Sequence, residues 1–167
     1  FDYGNKKHII EKEMSTMDSI RYMVRFMHCG FVAMEPQTSY VRAWVGDIDF
    51  NSWKYDKVTA MRQPGSTFKL FVYASAFENN DEMNPLTRYS DEYVSIKVPD
   101  AQNPGKMKVW TPHNANGYCT GANMPLKSAF AQSINTIAVK VGQDTGIDNV
   151  VKVAHAMGVK SKLDSTP

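Results

Sequence analysis

The strongest hydrophobic run in the chain follows a Pro-Gly pair. Pro64 and Gly65 mark a turn, and residues 66–78 contain neither Gly nor Pro and are apolar on nearly every face. This pattern predicts a helix that begins at the turn and is buried on all sides. Ser66 then lies in the first turn of that helix. Lys69 follows three residues later on the same face.

A second helical pattern begins near Ser15. Ser15 and Asp18 have the spacing of an N-cap with an acidic residue three positions on, and apolar residues recur with helical spacing at Ile20, Met23, Val24 and Met27. An amphipathic helix is predicted here, ending near Cys29 with Gly30 as its C-cap. Residues 1–14 are polar and mixed, and we interpret them as a linker or the end of a preceding module.

Two strand-like runs, residues 31–34 and 40–46, flank a polar turn and predict a hairpin. Asp47 and Asp49 come directly after the second run. Paired carboxylates can hold a divalent ion, but an acidic loop after a strand is the more common reason for such a pair. We therefore interpret Asp47 and Asp49 as an acidic loop.

The second half of the chain alternates loop and helix signals. Residues 79–121 are rich in Asn, Asp, Pro and Gly, and predict an extended surface region with a short strand at 93–98. Pro125 stands at the predicted first turn of a helix. A final apolar pattern predicts a packing helix that is capped by Asp148 and closes at Gly158.

Composition indicates a single globular domain. The chain has 167 residues, of which 43% are hydrophobic and 22% charged, enough for a real core. The net charge is +2 without a basic run, so neither nucleic acid nor an anionic membrane surface is indicated as a partner. No run is long enough to span a bilayer, and a start at Phe1 suggests a processed or excised segment. For Cys29 and Cys119 we favour two free thiols over a disulfide.

The pair Ser66 and Lys69 is candidate chemistry. A serine becomes a nucleophile when a neighbouring base takes its proton, and lysine serves as that base when apolar burial lowers its pKa. Phe68, Leu70 and Phe71 are the expected sources of burial. The helix N-terminus suits a developing oxyanion. The spacing alone is weak, because roughly one Ser-x-x-Lys match is expected by chance in such a chain.

Three segments together resemble a known family, the class A penicillin-binding proteins, which are bifunctional peptidoglycan synthases. The segment Arg62-Gln63-Pro64-Gly65-Ser66-x-Phe68-Lys69, with Phe71-Val72-Tyr73 and Glu78, resembles the active-serine motif of their transpeptidase domain. Trp110-x-Pro112-x-Asn114 resembles a segment that precedes the second motif of the family, and the second motif itself is resembled by Ser133-x-Asn135-Thr136-x-Ala138-Val139.

The resemblance implies a role for each matching residue. Ser66 would attack the D-Ala-D-Ala carbonyl of a stem peptide with Lys69 as base, Ser133 would pass a proton to the leaving amine, and Asn135 would hold substrate amides. Read without the family, Ser133 and Asn135 fit an ordinary N-cap equally well. Trp110 and Asn114 are expected near the cleft without a chemical step. We interpret His113 as solvated. This chemistry involves no metal or organic cofactor.

The implied fold is a partial α+β serine transpeptidase/β-lactamase-like fold. An N-terminal strand hairpin would lie beside a mostly helical region, with residues 15–167 forming part of the domain and the later sheet strands absent. The third family motif, Lys-Thr-Gly or Lys-Ser-Gly, is not found: Cys119-Thr120-Gly121 and Asp144-Thr145-Gly146 lack the lysine. Alone, this fragment is expected to be inactive, to expose an apolar face and to associate with itself.

The parent protein is expected to cross-link peptidoglycan on the periplasmic face of the bacterial inner membrane. The resemblance implies a membrane-anchored protein with a glycosyltransferase domain, whose partners are stem peptides and β-lactam antibiotics. Two alternatives stay open. One is a serine β-lactamase or penicillin-sensing domain, which shares both motifs. The other is a non-catalytic structural piece of the synthase, which the missing third motif favours.

Overall fold

The computed structural model describes residues 11–49, 53–100 and 102–164. The contacts divide the chain into two units, Phe1–Arg62 and Gln63–Pro167. Most of the predicted linker, residues 1–14, lies outside the described residues. Every side chain in the predicted site belongs to the second unit. None of the helices in the described ranges is long and apolar enough to cross a membrane.

The first unit begins with helix α1, Thr16–Met23. Ser15 caps it as predicted, because its hydroxyl accepts a hydrogen bond from the Asp18 N–H at 3.2 Å. The predicted end near Cys29 is wrong. The apolar face that was expected to prolong the helix is not buried, and Met27 is 90% exposed. Without burial of that face, further turns gain little stability.

Gly30 has a different role from the predicted C-cap. It lies beyond the end of α1, and a Cβ atom added to it would lie 2.7 Å from the backbone nitrogen of Val58. Real Cβ atoms do not approach a backbone atom so closely. Gly30 therefore allows the segment around Val58 to pack against the start of the hairpin.

The predicted hairpin is confirmed. Strand β1, Phe31–Met34, pairs antiparallel with strand β2, Val41–Val45. Phe31 is 59% exposed and Trp44 is 49% exposed. This bears out the expectation of an exposed apolar face.

Asp47 lies in a loop after β2, as predicted, but it is buried rather than solvated. Its carboxylate contacts His28 Nδ1 at 2.9 Å and Lys57 Nζ at 3.5 Å, and accepts a hydrogen bond from the Ile48 N–H at 2.8 Å. Burial alone raises the pKa of Asp47. The contacts with His28, Ile48 and Lys57 outweigh burial and lower this pKa.

The second unit is built around helix α2. A 3-10 turn, Gly65–Phe68, leads into α2, Lys69–Asn79. The later helices are α3, Leu126–Ala131, α4, Asn135–Thr145, and α5, Ile147–Ala156. Helices α4 and α5 pack on α2. The main core cluster is Tyr73, Ala76, Met83, Leu126, Ala129, Ile137, Ala138 and Val141.

Two short antiparallel ladders lie between α2 and α3 in sequence. Strand β3, Arg88–Ser90, pairs with β6, Asn123–Pro125, and strand β4, Ile96–Pro99, pairs with β5, Met107–Trp110. The strand predicted at 93–98 begins three residues late, at Ile96. Burial alternates along this strand as expected, because Ile96 and Val98 are buried while Lys97 and Pro99 are exposed.

Helix α2 is not buried on all sides as predicted. Leu70 is 49% exposed and Phe77 is 37% exposed, because α4 and α5 cover only the other side of the helix. These two side chains line an apolar groove of about 380 Å³ together with Tyr73 and Phe130. The exposed groove is a second apolar surface, in addition to the hairpin.

Of the five apolar residues predicted to pack on helix α5, Val150, Val153 and Ala154 are buried, whereas Val151 is half-buried and Met157 is 51% exposed. The predicted cap is wrong, however. Asp148 lies in the first turn without a side-chain cap, and the N-cap position is taken by Gly146 with φ +85°. Only glycine adopts that conformation at little cost. Cys29 and Cys119 are free thiols, as favoured.

Candidate active site

The turn before α2 positions Ser66. Gly65 has φ +57°, and a Cβ atom added there would meet nothing within 4 Å. Glycine therefore suits this position because of the backbone conformation and not because a side chain would clash. The Thr67 hydroxyl donates to the Pro64 carbonyl oxygen at 2.6 Å and tightens the turn. Ser66 therefore lies in a 3-10 turn rather than in the first turn of an α-helix. The predicted proximity to Lys69 is nevertheless present.

The side-chain amine of Lys69 brings three predicted residues together. Lys69 Nζ lies 3.3 Å from Ser66 Oγ, 2.9 Å from Ser133 Oγ and 2.7 Å from the Ser133 carbonyl oxygen. It also lies 2.5 Å from Asn135 Oδ1. Ser133 and Asn135 are more than 60 residues from Lys69 in sequence, so the tertiary fold creates this cluster.

The contacts of Lys69 can be made by a neutral amine as well as by an ammonium group. A neutral amine has two N–H groups and one lone pair, and the two shortest contacts are with oxygens that only accept hydrogen bonds. Those contacts use both N–H groups. The lone pair is then left for a hydroxyl, which Ser66 and Ser133 both offer.

Burial lowers the pKa of Lys69, which favours the neutral form. Of the three predicted sources of burial, Phe68 lines the same cleft as Lys69, whereas Phe71 contacts the ring of Phe68. Leu70 does not fit, because it faces the exposed groove. The segment Ser133 to Asn135 contacts the amine instead.

Ser133 has a strained backbone, with φ +55°. It follows the end of α3, where the Ser133 N–H donates to the Phe130 carbonyl and the Ile134 N–H donates to the Ala129 carbonyl. This is a Schellman ending, in which the left-handed position usually belongs to glycine. A serine there costs about 1–2 kcal/mol. The N-cap interpretation of Ser133 is wrong, because Ile134 holds the N-cap position of α4.

Asn135 is the first residue of α4 and its side chain is largely committed. Oδ1 contacts Lys69, and Nδ2 donates to the His113 carbonyl oxygen at 2.6 Å. An amide nitrogen carries two N–H donors. One of them remains for another acceptor.

The site opens into a cleft of about 840 Å³. Ser66, Lys69, Asn135 and Trp110 are among the side chains that line it, and the hydrophobic part of its wall comes from α4 and α5. Ser133 does not line the cleft, although its hydroxyl contacts Lys69. The predicted place of Trp110 near the cleft agrees with the structure. The ring of His113 is exposed, as interpreted.

Asn114 is buried behind Asn135 rather than facing the cleft. Its side-chain oxygen accepts a hydrogen bond from the Asn135 N–H at 2.9 Å, and its nitrogen donates to Asp91 Oδ1 at 2.8 Å. Asp91 is fully buried. Sequence analysis missed Asp91, because it stands in a polar stretch that was interpreted as surface.

Metal ligation finds no support in the described ranges. Within residues 11–49, 53–100 and 102–164, no three His, Cys, Asp or Glu side chains come together as a metal site.

Comparison with known proteins identifies the family. Residues 29–166 match the model of the penicillin-binding protein transpeptidase domain. The chain belongs to this family. The predicted family is thereby confirmed, together with the partial α+β serine transpeptidase fold.

Individual relatives agree with this assignment. Penicillin-binding protein 1A of Rickettsia prowazekii (strain Madrid E) is 36% identical over 132 residues, which cover 78% of this chain and 16% of that protein. Penicillin-binding protein 2D of Bacillus subtilis (strain 168) is 34% identical over 139 residues, covering 83% of this chain and 19% of that protein. The chain therefore spans less than a fifth of the length of these relatives.

A solved structure shares the fold. The crystal structure of penicillin-binding protein 1A from Haemophilus influenzae matches 80% of this chain and 19% of its own length, with a TM-score of 0.69 and 28% sequence identity. The fold seen here is thus similar to part of a larger penicillin-binding protein.

Proposed function

We propose that residues 15–167 form part of a peptidoglycan D,D-transpeptidase domain in which Ser66 is the acylated nucleophile. The observation that carries this proposal is the position of Lys69 Nζ, 3.3 Å from Ser66 Oγ and in contact with Ser133 and Asn135. A partly buried amine with a lowered pKa beside a serine hydroxyl is the arrangement that activates serine. Family membership supports the same chemistry.

In the first half-reaction, Ser66 Oγ forms a bond to the carbonyl carbon of the penultimate D-Ala, and its proton passes to Lys69. The peptide bond to the terminal D-Ala then breaks. Ser133 contacts the Lys69 amine at 2.9 Å and relays a proton to the leaving amine. The free N–H of Asn135 Nδ2 donates to a substrate carbonyl. An acyl-enzyme ester on Ser66 remains, with free D-Ala as the product.

In the second half-reaction, the amine of a second stem peptide attacks the ester. Lys69 and Ser133 take the proton from this amine and return it to Ser66 Oγ as the ester bond breaks, which leaves a new amide cross-link. A β-lactam enters the same pathway, but the amine released when its ring opens stays attached to the acyl group. In this proposal Ser66, Lys69 and Ser133 carry the proton transfers of both half-reactions.

The cellular setting follows from the same proposal. The relatives are bacterial penicillin-binding proteins. We place the domain outside the cytoplasm, at the periplasmic face of the inner membrane, in a membrane-anchored parent that also carries a glycosyltransferase domain. Its partners are the D-Ala-D-Ala stem peptides of peptidoglycan and β-lactam antibiotics.

A product assay tests the proposed reaction class. The full-length protein is incubated with a labelled donor stem peptide and an acceptor amine, and the products are separated by mass. The proposal expects a donor–acceptor amide and release of D-Ala. Rapid hydrolysis of a labelled penicillin without amide formation would instead identify a β-lactamase. Absence of any acyl-enzyme would identify a non-catalytic structural piece.

A further inference from the structure

The buried carboxylate of Asp91 stands outside the chemistry described above. Asp91 lies in the loop between β3 and β4, and its side chain is fully buried although none of its hydrogen-bond donors carries a charge. Burying an unpaired carboxylate is costly unless hydrogen bonds compensate for lost water. A group of this kind indicates a constraint on structure or on function.

Four hydrogen bonds compensate for the burial of Asp91. Oδ1 accepts from Asn114 Nδ2 at 2.8 Å and from the Thr136 hydroxyl at 2.6 Å. Oδ2 accepts from the N–H and the hydroxyl of Thr120, both at 2.8 Å. A carboxylate accepts all four hydrogen bonds because both of its oxygens are acceptors. A neutral amide of the same shape has only one oxygen, so it cannot accept all four.

The backbone of Asp91 is also fixed by hydrogen bonds. The Asp91 N–H donates to the Ala122 carbonyl at 2.9 Å, and the Asp91 carbonyl accepts from the Gly121 N–H at 2.8 Å. These bonds continue the β3–β6 ladder by one residue. Asp91 is thus attached to a rigid element, as a supporting residue must be if it is to fix another group within a fraction of an ångström.

From Asp91 the contacts lead directly to the active site. The Asn114 oxygen accepts the N–H of Asn135 at 2.9 Å and the N–H of Thr136 at 3.4 Å, so Asn114 caps the N-terminus of α4. Asn135 in turn contacts Lys69 through Oδ1. The Asp91 carboxylate also sets the orientation of the Asn114 amide. Because the carboxylate only accepts hydrogen bonds, it faces the Asn114 nitrogen, and the Asn114 oxygen then faces α4.

We infer that Asp91 is a positioning residue for the transpeptidase site, and that it acts through Asn114 to hold Asn135 against Lys69. This inference rests on the proposed function. In Asp91→Asn, an NH₂ group replaces one of the two carboxylate oxygens. If it replaces Oδ2, it faces the Thr120 N–H, which is also a donor. If it replaces Oδ1, the Asn114 amide has to turn, and its own NH₂ group then faces the Asn135 N–H. Either arrangement loosens Asn135.

The test measures acylation of the full-length protein by a fluorescent penicillin, separating the final stoichiometry of labelling from the rate constant at saturating label. Asp91→Asn is expected to keep the stoichiometry and to slow acylation roughly 10- to 100-fold, since small misplacements of positioning groups cost rates of this order. The control Asp100→Asn removes another hydrogen-bonded carboxylate of the same unit, away from the cleft. It is expected to label at the parental rate.

A double-mutant cycle separates positioning from general support of the fold. In an Asn135→Ala background there is no side chain left to position, so Asp91→Asn is expected to change the rate by less than roughly threefold. An equal loss in both backgrounds, or no loss in the parental background, overturns the inference. If Asp91→Asn does not fold, Thr136→Val replaces it in the same cycle with the same criteria, because it removes only one donor to Asp91.

Failure of this inference is distinguishable from failure of the proposed function. Ser66→Ala is measured in the same assay. Loss of label in Ser66→Ala together with a parental rate in Asp91→Asn rejects only the positioning role. Label that persists in Ser66→Ala rejects the proposed nucleophile itself.

Discussion

Lys69 Nζ lies 2.7 Å from the backbone carbonyl oxygen of Ser133, a residue 64 positions later in the chain. In this contact one N–H of the Lys69 amine donates to a carbonyl oxygen, which only accepts hydrogen bonds. In a neutral amine, this contact and the contact to Asn135 leave the lone pair for a hydroxyl group. The arrangement supports the proposed role of Lys69 as the base.

The first prediction concerns the protonation of Lys69. Because burial lowers the pKa of Lys69, the neutral form becomes populated at lower pH than for a solvated lysine. Acylation should therefore rise with pH through a single step that depends on Lys69. Lys69→Arg should be nearly inactive, since a guanidinium stays protonated. Pre-steady-state labelling across pH measures both effects, and near-parental acylation by the arginine variant would contradict the role of base.

The second prediction uses the strained backbone of Ser133. Ser133→Ala and Ser133→Gly both remove the hydroxyl, so both should slow acylation similarly. Only glycine relieves the left-handed conformation, with φ +55°. The glycine variant should therefore be more stable than the alanine variant by about 1–2 kcal/mol. Urea unfolding of the complete domain measures the difference, and equal stability would show that the strain is absent.

The third prediction concerns acid stability. Burial alone raises the pKa of Asp91, but hydrogen bonds from Thr120, Thr136 and Asn114 outweigh burial and lower the pKa to about 2. The pKa of Asp91 in the unfolded state is about 4. Between about pH 4 and pH 2 the folded state therefore binds fewer protons than the unfolded state, and above about pH 4 the stabilisation by ionised Asp91 is fully present. It is lost as pH falls toward 2.

Asp91→Asn should therefore be less stable than the parental domain at pH 7, and the gap should narrow as pH falls from about 4 to about 2. Thermal unfolding of both proteins at a series of pH values measures the gap. Because Asp47 titrates in both proteins, its contribution cancels in the comparison. A gap that stays constant down to pH 2 would show that Asp91 is not an ionised, stabilised carboxylate.

The fourth prediction concerns the chain by itself. The hairpin and the groove beside α2 expose apolar side chains, including Phe31, Trp44 and Leu70. The family resemblance implies that a second oxyanion donor and the third motif lie on a later strand, and loss of one such donor costs about 10²–10³ in rate. Purified alone, this chain should self-associate and show little or no penicillin labelling. Sedimentation and gel labelling, with and without the rest of the domain, test this, and robust cross-linking by the chain alone would refute it.

The candidate site could be predicted from the sequence because its residues occur in pairs that are only two or three positions apart. Ser66 and Lys69 are one turn apart, and the segment with Ser133 and Asn135 resembles a family motif. Asp91 left no such signal, because its partners lie 23, 29 and 45 residues away, on separate loops and on α4. Only the tertiary fold shows that this acid is buried.

The errors in secondary structure have a similar cause. The apolar spacing after Ser15 predicted a long amphipathic helix, yet that face is exposed and α1 ends at Met23. For α2, the sequence showed that all faces are apolar but not which of them a neighbour covers. Burial by a partner element is a tertiary property, and periodicity alone does not contain it.

The most direct test of the central claim is the intact mass of the complete domain after reaction with penicillin. The parental domain should gain one acyl group, and peptide digestion should place it on Ser66. Ser66→Ala should gain none, whereas Ser133→Ala should gain it slowly and still on Ser66. An adduct that maps to Ser133, or one that persists in Ser66→Ala, would contradict the account.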